Sequence, residues 1–445
     1  MKKTLTLLFL LSSYFAFAGW MPMNGLNGRV RSMVMYNGNL IAAGDFTSPN
    51  HVAKYNGSTW QVMGDGIGNA ATDKIYCLAV YNNILFAGGS FSQSGSSVAC
   101  SNIAFYNAST DRWSPIGAGL AGEVRCLYND GTYLLAGGTF SGRVAALDPF
   151  NAGSNPTNFT IKGPTTLTGE VNDIKKYNNE YYLTGRIFSS GTPYMLGKLT
   201  IAGSPAFSPL TFIASPSYGT SLEIYNNLLY IGGFFNYSSN FGIVSYNGSS
   251  ASIFPYTLGS SNDTITDLYA FGGALYATGT FDRSTSANLT LNKFFKFVTG
   301  KPISSVDGGF TGGNTFCIIN TGNYFVCGGD FTAASGGPAS NIARSTGMTI
   351  GIDEPENLVI DHLVFPNPVV QSAIIRFTSK DYLKNASLLI LDQQGRSISS
   401  IPTDRTGNDL IFEFTIDRTG LPAGIYYYFL TSENSRATGG KFIVQ

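Results

Sequence analysis

The chain has 445 residues, with 27 basic and 27 acidic side chains, and only 12% of its residues are charged. Such a sparsely charged, nearly neutral surface excludes electrostatic attraction to nucleic acid or to an anionic membrane. The 32 Phe, 25 Tyr and 53 Gly residues favour many short strands joined by tight turns.

The first 18 residues have the pattern of a secretory signal peptide. Lys2 and Lys3 precede a short apolar stretch, and Ala16-Phe17-Ala18 offers a cleavage site of small residues. The apolar stretch is too short to span a bilayer, and no later segment reaches the ~20 apolar residues that a membrane helix needs. We therefore expect export, removal of residues 1–18 and no transmembrane segment.

One sequence unit recurs seven times. An apolar run ends in Gly-Gly, or in a small residue and Gly, and Phe follows shortly afterwards, as in Leu40 to Gly44 with Phe46. Repeats of 45 to 50 residues built from short strands predict a propeller or a solenoid. The last Gly of the seven copies is Gly44, Gly89, Gly138, Gly185, Gly233, Gly279 and Gly329.

Each repeat contains four candidate strands. In the first copy, residues 30–35 precede an Asn-Gly turn, the apolar run follows, residues 52–57 form a third strand, and Trp60 opens a fourth. The sequence therefore predicts an all-β, seven-bladed β-propeller over residues 19–347. The seventh repeat lacks a Trp-led strand, so we expect residues 20–28, which resemble the segment after Trp60, to form the outer strand of the last blade and close the ring.

The apolar run, the Gly pair and the following Tyr and Trp resemble kelch-type propeller repeats and the similar blades of bacterial surface proteins. The Tyr-to-Trp spacing varies between Tyr55–Trp60 and Tyr106–Trp113. This resemblance covers residues 20–347 and implies a closed propeller.

A polar linker over residues 348–360 ends the repeats, and residues 361–445 read as a small β-sandwich. Four ordered blocks in it resemble the sorting domain of the type IX secretion system of Bacteroidetes. That resemblance implies Sec-dependent passage to the periplasm, recognition by the type IX machinery, and cleavage with surface attachment or release. An ordinary immunoglobulin-like adhesion domain is the alternative. The blocks contain Phe365, Pro366, Asn367 and Pro368, then Gly395 and Arg396, then Gly424 and Tyr426, and finally Gly440 and Lys441.

Three of the five Cys residues occupy one repeat position. Cys77, Cys126 and Cys317 each lie 12 residues before the last Gly of their repeat, which predicts a small buried site. Cys317 and Cys327 flank a turn symmetrically, so a hairpin is expected to place them opposite each other. A disulfide there and two free thiols both remain open.

The sequence has only two His residues, His51 and His362. We expect His51 to be exposed in the loop between the second and third strands of its repeat. Because His is so scarce, neither a Ser-His-Asp site nor a multi-histidine metal centre is predicted. No catalytic residue, metal ligand or cofactor is assigned.

The residue after the last Gly of each repeat is a candidate ligand-binding position. If it faces the central channel, seven copies form a mixed polar collar, and ring closure makes the two acids neighbours. Such acids bind a cation or act on a sugar, or else they satisfy backbone groups at strand ends. The collar residues are Asp45, Ser90, Thr139, Arg186, Thr280 and Asp330, with Phe234 in the fifth repeat.

The sequence thus predicts an exported or surface-displayed propeller that acts as a binding or adhesion protein for a glycan or a surface protein. The type IX secretion machinery is the expected partner during export. The alternative is a carbohydrate-active enzyme, a glycosidase or lyase, with acids at the channel mouth. A structural or spacer role in a surface layer is a third possibility.

Overall fold

The structure is a computed structural model. The described residues form two compact units, divided between residues 350 and 351. The expected signal peptide and nearly all of the expected linker lie outside the described residues. The structure describes residues 19–68, 70–94, 97–150, 155–211, 217–238, 240–346, 359–379, 386–391, 397–402, 411–432 and 435–445.

The first unit contains seven four-stranded antiparallel sheets, which confirms the predicted seven-bladed propeller. We call each sheet a blade and its strands inner, second, third and outer. Apart from the last outer strand, the strands follow the order of the chain. The bounds are Val30–Tyr36, Asn39–Gly44, Val52–Tyr55 and Trp60–Val62 in blade 1; Lys74–Tyr81, Ile84–Ser90, Ile103–Asn107 and Arg112–Pro115 in blade 2; Val124–Asn129, Leu134–Gly138, Val144–Leu147 and Phe159–Ile161 in blade 3; Thr168–Tyr177, Glu180–Ser189, Thr192–Thr200 and Ala206–Leu210 in blade 4; Tyr218–Tyr225, Leu228–Tyr237, Asn240–Tyr246 and Ala251–Ile253 in blade 5; Ile265–Phe271, Ala274–Gly279, Phe294–Phe297 and Ser304–Ser305 in blade 6; and Thr315–Asn320, Phe325–Gly329, Ile342–Ser345 and Trp20–Pro22 in blade 7.

The second strands form the most deeply buried layer of the blades. In blades 3, 6 and 7 every residue of this strand is buried, because both faces pack against neighbouring blades. The Phe that comes shortly after the last Gly of each repeat, such as Phe46 or Phe331, is buried in every blade except blade 4, where Phe188 is half-buried. Three small sheets join Gln93–Ser94 to Val98–Ala99, Arg283–Ser284 to Leu289–Thr290, and Phe310–Thr311 to Ala333–Ala334 and Gly337–Pro338.

The N-terminal strand completes blade 7. Trp20–Pro22 pairs antiparallel with Ile342–Ser345, and Trp20 stands opposite Ser345. The strand is shorter than the predicted residues 20–28: after Pro22, one further backbone hydrogen bond joins Met23 N to Ile342 O at 3.1 Å. This pairing places the start of the propeller beside its end and removes a free sheet edge.

Tryptophan side chains of the outer strands join consecutive blades. The indole Nε1 of Trp60 donates to Met23 O at 2.8 Å, and that of Trp113 donates to Met63 O at 3.0 Å. Trp20 makes the equivalent bond to Val306 O at 3.3 Å. The Trp residues thus link blade 1 to blade 7, blade 2 to blade 1, and blade 7 to blade 6.

The repeated Gly has a steric cause. A β-bulge interrupts the start of every inner strand. A Cβ atom on Gly138 would lie 1.9 Å from Glu123 O, the carbonyl just before the neighbouring inner strand. In the other six blades the corresponding distance is 2.0 to 2.3 Å, so only Gly fits opposite the bulge.

Two expectations about individual residues are wrong. His51 is only 1% exposed, because its loop folds back: His51 N donates to Phe46 O at 3.1 Å and His51 O accepts from Gly44 N at 3.2 Å. Cys317 and Cys327 are not opposed, because Cys327 pairs with Ile318 and Cys317 with Gly328. Neighbouring strand residues point to opposite faces, so no disulfide forms.

The five thiols are instead buried without forming disulfide bonds. All five Cys residues are free and buried, as the repeat position of Cys77, Cys126 and Cys317 predicted. Burial raises the pKa of each thiol, so each stays protonated at neutral pH.

The second unit is a sandwich of two antiparallel sheets. Its first strand begins at Val359, two residues before the predicted boundary. A single apolar cluster, which includes Phe377, Leu430 and Phe442, forms its core. One sheet contains Val359–Phe365, Ser372–Ser379 and Ile411–Asp417, and the other contains Ser397–Pro402, Ser387–Leu391, Gly424–Ser432 and Ser435–Val444.

Candidate functional site

The seven bulges place one side chain from each blade around the mouth of the central channel. Each bulged residue lies 13 positions before the last Gly of its repeat and has no partner in the strand register, since a bulge re-aims its side chain. All seven line one cavity of about 450 Å³. We call this set the bulge ring: Arg31, Tyr76, Arg125, Asn172, Thr220, Thr266 and Phe316.

One side of the bulge ring alternates cations with aromatic rings. The guanidinium of Arg31 lies 5.2 Å from the ring centre of Tyr76 and 5.9 Å from that of Phe316. Arg125 lies 5.5 Å from Tyr76 on its other side. These cation–π contacts fix the positions of the Arg31 and Arg125 side chains at the cavity wall.

The other side of the bulge ring is polar and uncharged. Asn172 Nδ2 donates to Gly219 O at 2.8 Å, and the hydroxyls of Thr220 and Thr266 donate to carbonyls of the following blade. Because the hydroxyl hydrogens of Thr220 and Thr266 are used within the protein, these groups offer the cavity oxygen lone pairs, whereas Asn172 keeps a second N–H besides its carbonyl oxygen.

The two collar acids lie on either side of one arginine. Asp330 accepts from Arg29 Nη2 at 2.6 Å and from the backbone N of Asn314 at 2.7 Å. Asp45 Oδ2 lies 3.9 Å from Arg29 Nη1, and its carboxylate accepts two hydrogen bonds from Arg31. The acids are therefore neighbours, and both are paired with cations.

The remaining collar residues have local partners. The hydroxyls of Thr139 and Thr280 accept from the backbone N atoms of Glu123 and Thr264, just before the inner strands, at 2.9 and 2.8 Å. Arg186 lies 5.5 Å from the ring centre of Phe188, and Ser90 stands opposite Lys74 in the sheet. Of the collar residues that the structure describes, only Thr280 lines the cavity.

Two further acids complete the charge pattern of the mouth. Arg125 Nη2 lies 2.8 Å from Glu123 Oε2 and 3.1 Å from Glu170 Oε2. The Nε of Arg125 is buried and has no hydrogen-bond partner in the described part of the protein. The mouth thus combines paired carboxylates with a guanidinium that stays partly exposed, since the Arg125 side chain is 32% exposed.

Carboxyl groups also lie deeper in the channel wall. Burial raises the pKa of Asp173 to about 6, although Lys175 partly opposes the shift. Burial raises the pKa of Asp267 to about 7, with repulsion from Asp173 and Glu223 adding to it. Asp173 accepts from Leu222 N at 2.7 Å and Asp267 from Ile318 N at 3.0 Å, so each carboxyl joins its blade to the next.

The described residues contain no group of three or more His, Cys, Asp or Glu side chains that could hold a metal ion. Within the same residues, no helix is long and apolar enough to cross a membrane.

The motifs of the second unit tie its first loop to its last strand. Asn367 Oδ1 accepts from Ile443 N at 2.9 Å, and Tyr426 Oη donates to Pro422 O at 2.8 Å. A Cβ on Gly440 would lie 2.5 Å from Tyr428 Oη, which explains the Gly. Phe365 is 73% exposed. Pro366, Pro368 and Lys441 are also exposed, Gly424 is half-buried, and Gly395 and Arg396 lie outside the described residues.

Comparison with known proteins supports both halves of this architecture. Residues 75–268 match the family described as Rax2 C-terminal beta propeller domain, and residues 363–445 match the secretion system C-terminal sorting domain. These matches do not test the kelch likeness, which stays a resemblance. No curated protein matches the chain.

Two solved structures resemble the propeller. A catalytically inactive virginiamycin B lyase from Staphylococcus aureus with quinupristin is 10% identical, with a TM-score of 0.50, over 74% of this chain and 98% of its own. YCF48 bound to D1 peptide is 11% identical, with a TM-score of 0.44, over 74% of this chain and 96% of its own. At such identities, the likeness to the lyase shows the fold alone.

The chain therefore contains a β-propeller and a type IX sorting domain. The sorting domain implies secretion through the type IX system and a location at the cell surface or outside the cell.

Proposed function

We propose that this protein is an exported, non-catalytic binding protein that holds an acidic glycan at the mouth of its propeller channel. The observation that carries the proposal is the convergence of seven bulge-ring side chains on one cavity of about 450 Å³. A cavity of this size suits a small ligand or the end of a longer one. The expected signal peptide would bring the chain to the periplasm before the type IX system exports it.

The chemistry of the cavity wall favours an anionic sugar. Its charged lining residues are Arg31, Arg125 and Glu170, while Asp45 and Glu123, which pair with the two arginines, are outside the lining. The Arg125 side chain is 32% exposed, so its guanidinium can donate to a carboxylate, and charge-assisted bonds of this kind are stronger than neutral ones. The hydroxyl and amide oxygens on the opposite side of the ring suit sugar hydroxyl groups.

Binding is favoured over catalysis because the mouth acids are already engaged. Asp45, Asp330, Glu123 and Glu170 each lie within 4 Å of an arginine nitrogen. A glycosidase needs a carboxylic acid and a carboxylate facing the scissile bond. In our proposal the collar acids hold Arg29 and Arg31 in place by ion pairing, so these acids position the arginine side chains of the ligand site.

Replacing Arg125 with Gln should weaken the binding of oligogalacturonate or oligoglucuronate by about 10- to 100-fold, because it removes a charge-assisted donor worth roughly 1.5–3 kcal/mol. Isothermal titration calorimetry on the mature full-length chain would measure this. Arg112, exposed on the outer strand of blade 2, gives a matched control, and Arg112→Gln should bind like the wild type.

Affinity for the acidic oligosaccharide should also fall as salt is added, since screening weakens the ion pair. Failure of the wild type to bind any acidic oligosaccharide would contradict the ligand class. Release of shortened sugars or unsaturated ends during the titration would instead establish the enzyme alternative.

A further inference from the structure

In two blades the residue directly after the bulge is an acid. It lies one residue further from the mouth than the bulge ring, in the wall of the channel. Asn172 and Thr266 line the mouth cavity, and Asp173 and Asp267 follow them in the sequence. We call Asp173 and Asp267 the wall acids. Each accepts a hydrogen bond from the inner strand of the following blade, at 2.7 and 3.0 Å, so both are fixed just below the cavity lining.

The wall acids belong to one group of charges. Blade 5 lies between their blades and contributes Ser221, whose hydroxyl donates to Asp267 Oδ1 at 3.3 Å. It also contributes Glu223, which lies 3.1 Å from Lys175 Nζ. Repulsion acts between Asp173, Glu223 and Asp267. Because Lys175 is the one cation of this group, ionisation of the wall acids leaves the wall with excess negative charge.

The wall acids exchange protons near neutral pH, whereas their titratable neighbours do not. Burial raises the pKa of Asp173 to about 6 and that of Asp267 to about 7. Burial lowers the pKa of Lys175, but attraction by Glu223 and Asp173 outweighs it, so Lys175 stays charged. The thiols and the phenol on the neighbouring strands have a pKa raised by burial and stay neutral. These groups are Cys77, Cys126, Tyr269, Cys317 and Cys327.

We propose that the channel mouth binds its acidic ligand together with protons on the wall acids, so that binding weakens as these two carboxyls ionise. The inference rests on the proposed function, since only an anionic ligand is repelled by the ionised wall. Like charges repel more strongly inside a protein than in water, because the effective dielectric constant is lower. By linkage, a bound anion must in turn raise the affinity of the wall acids for protons.

Titration calorimetry with oligogalacturonate at pH 5.5, 6.5, 7.5 and 8.5 and constant ionic strength would test this on the mature full-length chain. A sugar carboxylate with an ordinary pKa near about 4 stays ionised over this range, so any change in affinity comes from the protein. We expect the affinity of the wild type to fall about tenfold or more between pH 5.5 and 8.5.

Asp267→Asn should remove most of this fall, because only Asp173 then titrates in the wall, and Asp267→Asn with Asp173→Asn should bind equally at all four pH values. Asp111→Asn is the matched control. It changes an exposed acid just before the outer strand of blade 2 and should keep the wild-type profile. At pH 7 the wild type should also take up protons on binding, measured as a dependence of the binding enthalpy on the ionisation enthalpy of the buffer.

Three results would overturn the inference and leave the acidic glycan site itself standing. They are an affinity that does not change with pH, a fall that persists in the double variant, and binding without proton uptake by the wild type. If the wild type binds no acidic oligosaccharide at any pH, the proposed function fails, and the inference fails with it.

Discussion

Replacing Asp267 with Asn should stabilise the propeller on the order of 3 kcal/mol above about pH 7.5 and have almost no effect near pH 4. The reason is the pKa of this carboxyl, which burial in the channel wall raises to about 7. Each pKa unit is worth about 1.4 kcal/mol, and the partial exposure of the residue reduces the full shift somewhat.

The direction of the pH dependence follows from proton binding. Between about pH 4 and 7 the folded protein keeps the Asp267 proton that the unfolded chain has released. The stability that the protonated carboxyl contributes is therefore complete below pH 4 and is lost as the pH rises to about 7. Asn stays neutral throughout and can still accept from Ile318 N, so only the wild type carries this loss.

Thermal and urea unfolding at pH 4, 6 and 8 would measure the difference between the two proteins. Asp173→Asn provides a graded comparison: its pKa is raised only to about 6, because Lys175 favours the charged form, so its gain should be smaller and complete at lower pH. An Asp267→Asn protein less stable than the wild type at pH 8 would show that the carboxylate is a net stabiliser instead.

Replacing Trp20 with Ala should cost about 3–5 kcal/mol of propeller stability. Trp20 is 5% exposed and packs against Phe294 and Phe310, with ring centroids 5.2 and 4.6 Å away. Its indole also donates to Val306 O. The substitution therefore removes a large apolar side chain and a buried hydrogen bond from the strand that closes the ring.

Trp113→Ala is the control, because it removes an equally buried indole and its bond to Met63 O without touching the closing strand. Urea unfolding should show losses of similar size for the two variants. Hydrogen exchange should separate them, since only Trp20→Ala should speed exchange in Ile342–Ser345, the partner of the N-terminal strand. Unchanged exchange there would mean that the closing strand is held without its Trp.

The sequence predicted the architecture well because its markers are local. The Gly at the end of each second strand is required by a backbone carbonyl about 2 Å from where a Cβ would be, so its period counts the blades directly. The match between the segments after Trp20 and Trp60 also predicted the closing strand, since each indole donates a hydrogen bond to a carbonyl of the preceding blade.

The bulge ring was not predicted from the sequence, because a bulge does not change the alternation of apolar and polar residues in a recognisable way. Arg31, Asn172 and Phe316 share no chemistry, and only their fixed distance of 13 residues from the Gly relates them. The collar prediction selected the neighbouring strand position instead, of which Thr280 reaches the cavity.

The two incorrect predictions about individual residues concern turns, where a small change in backbone position or φ changes which residues pair or become buried. The turn after Asn320 pairs that residue with Phe325, half a residue away from the symmetric centre assumed between Cys317 and Cys327. For His51, a φ of +57° turns the loop back onto the second strand and buries a residue whose sequence neighbours suggested exposure.

The seven bulges have a consequence for how such a protein can change over time. Since the backbone aims these positions, a new side chain there alters the cavity lining, and at Asn172, Thr220 and Thr266 it also removes a hydrogen bond to the following blade. Five different amino acids already occupy the seven places. Preference for a new target could therefore be acquired one blade at a time, which makes the ring a natural starting point for selecting variants with altered specificity.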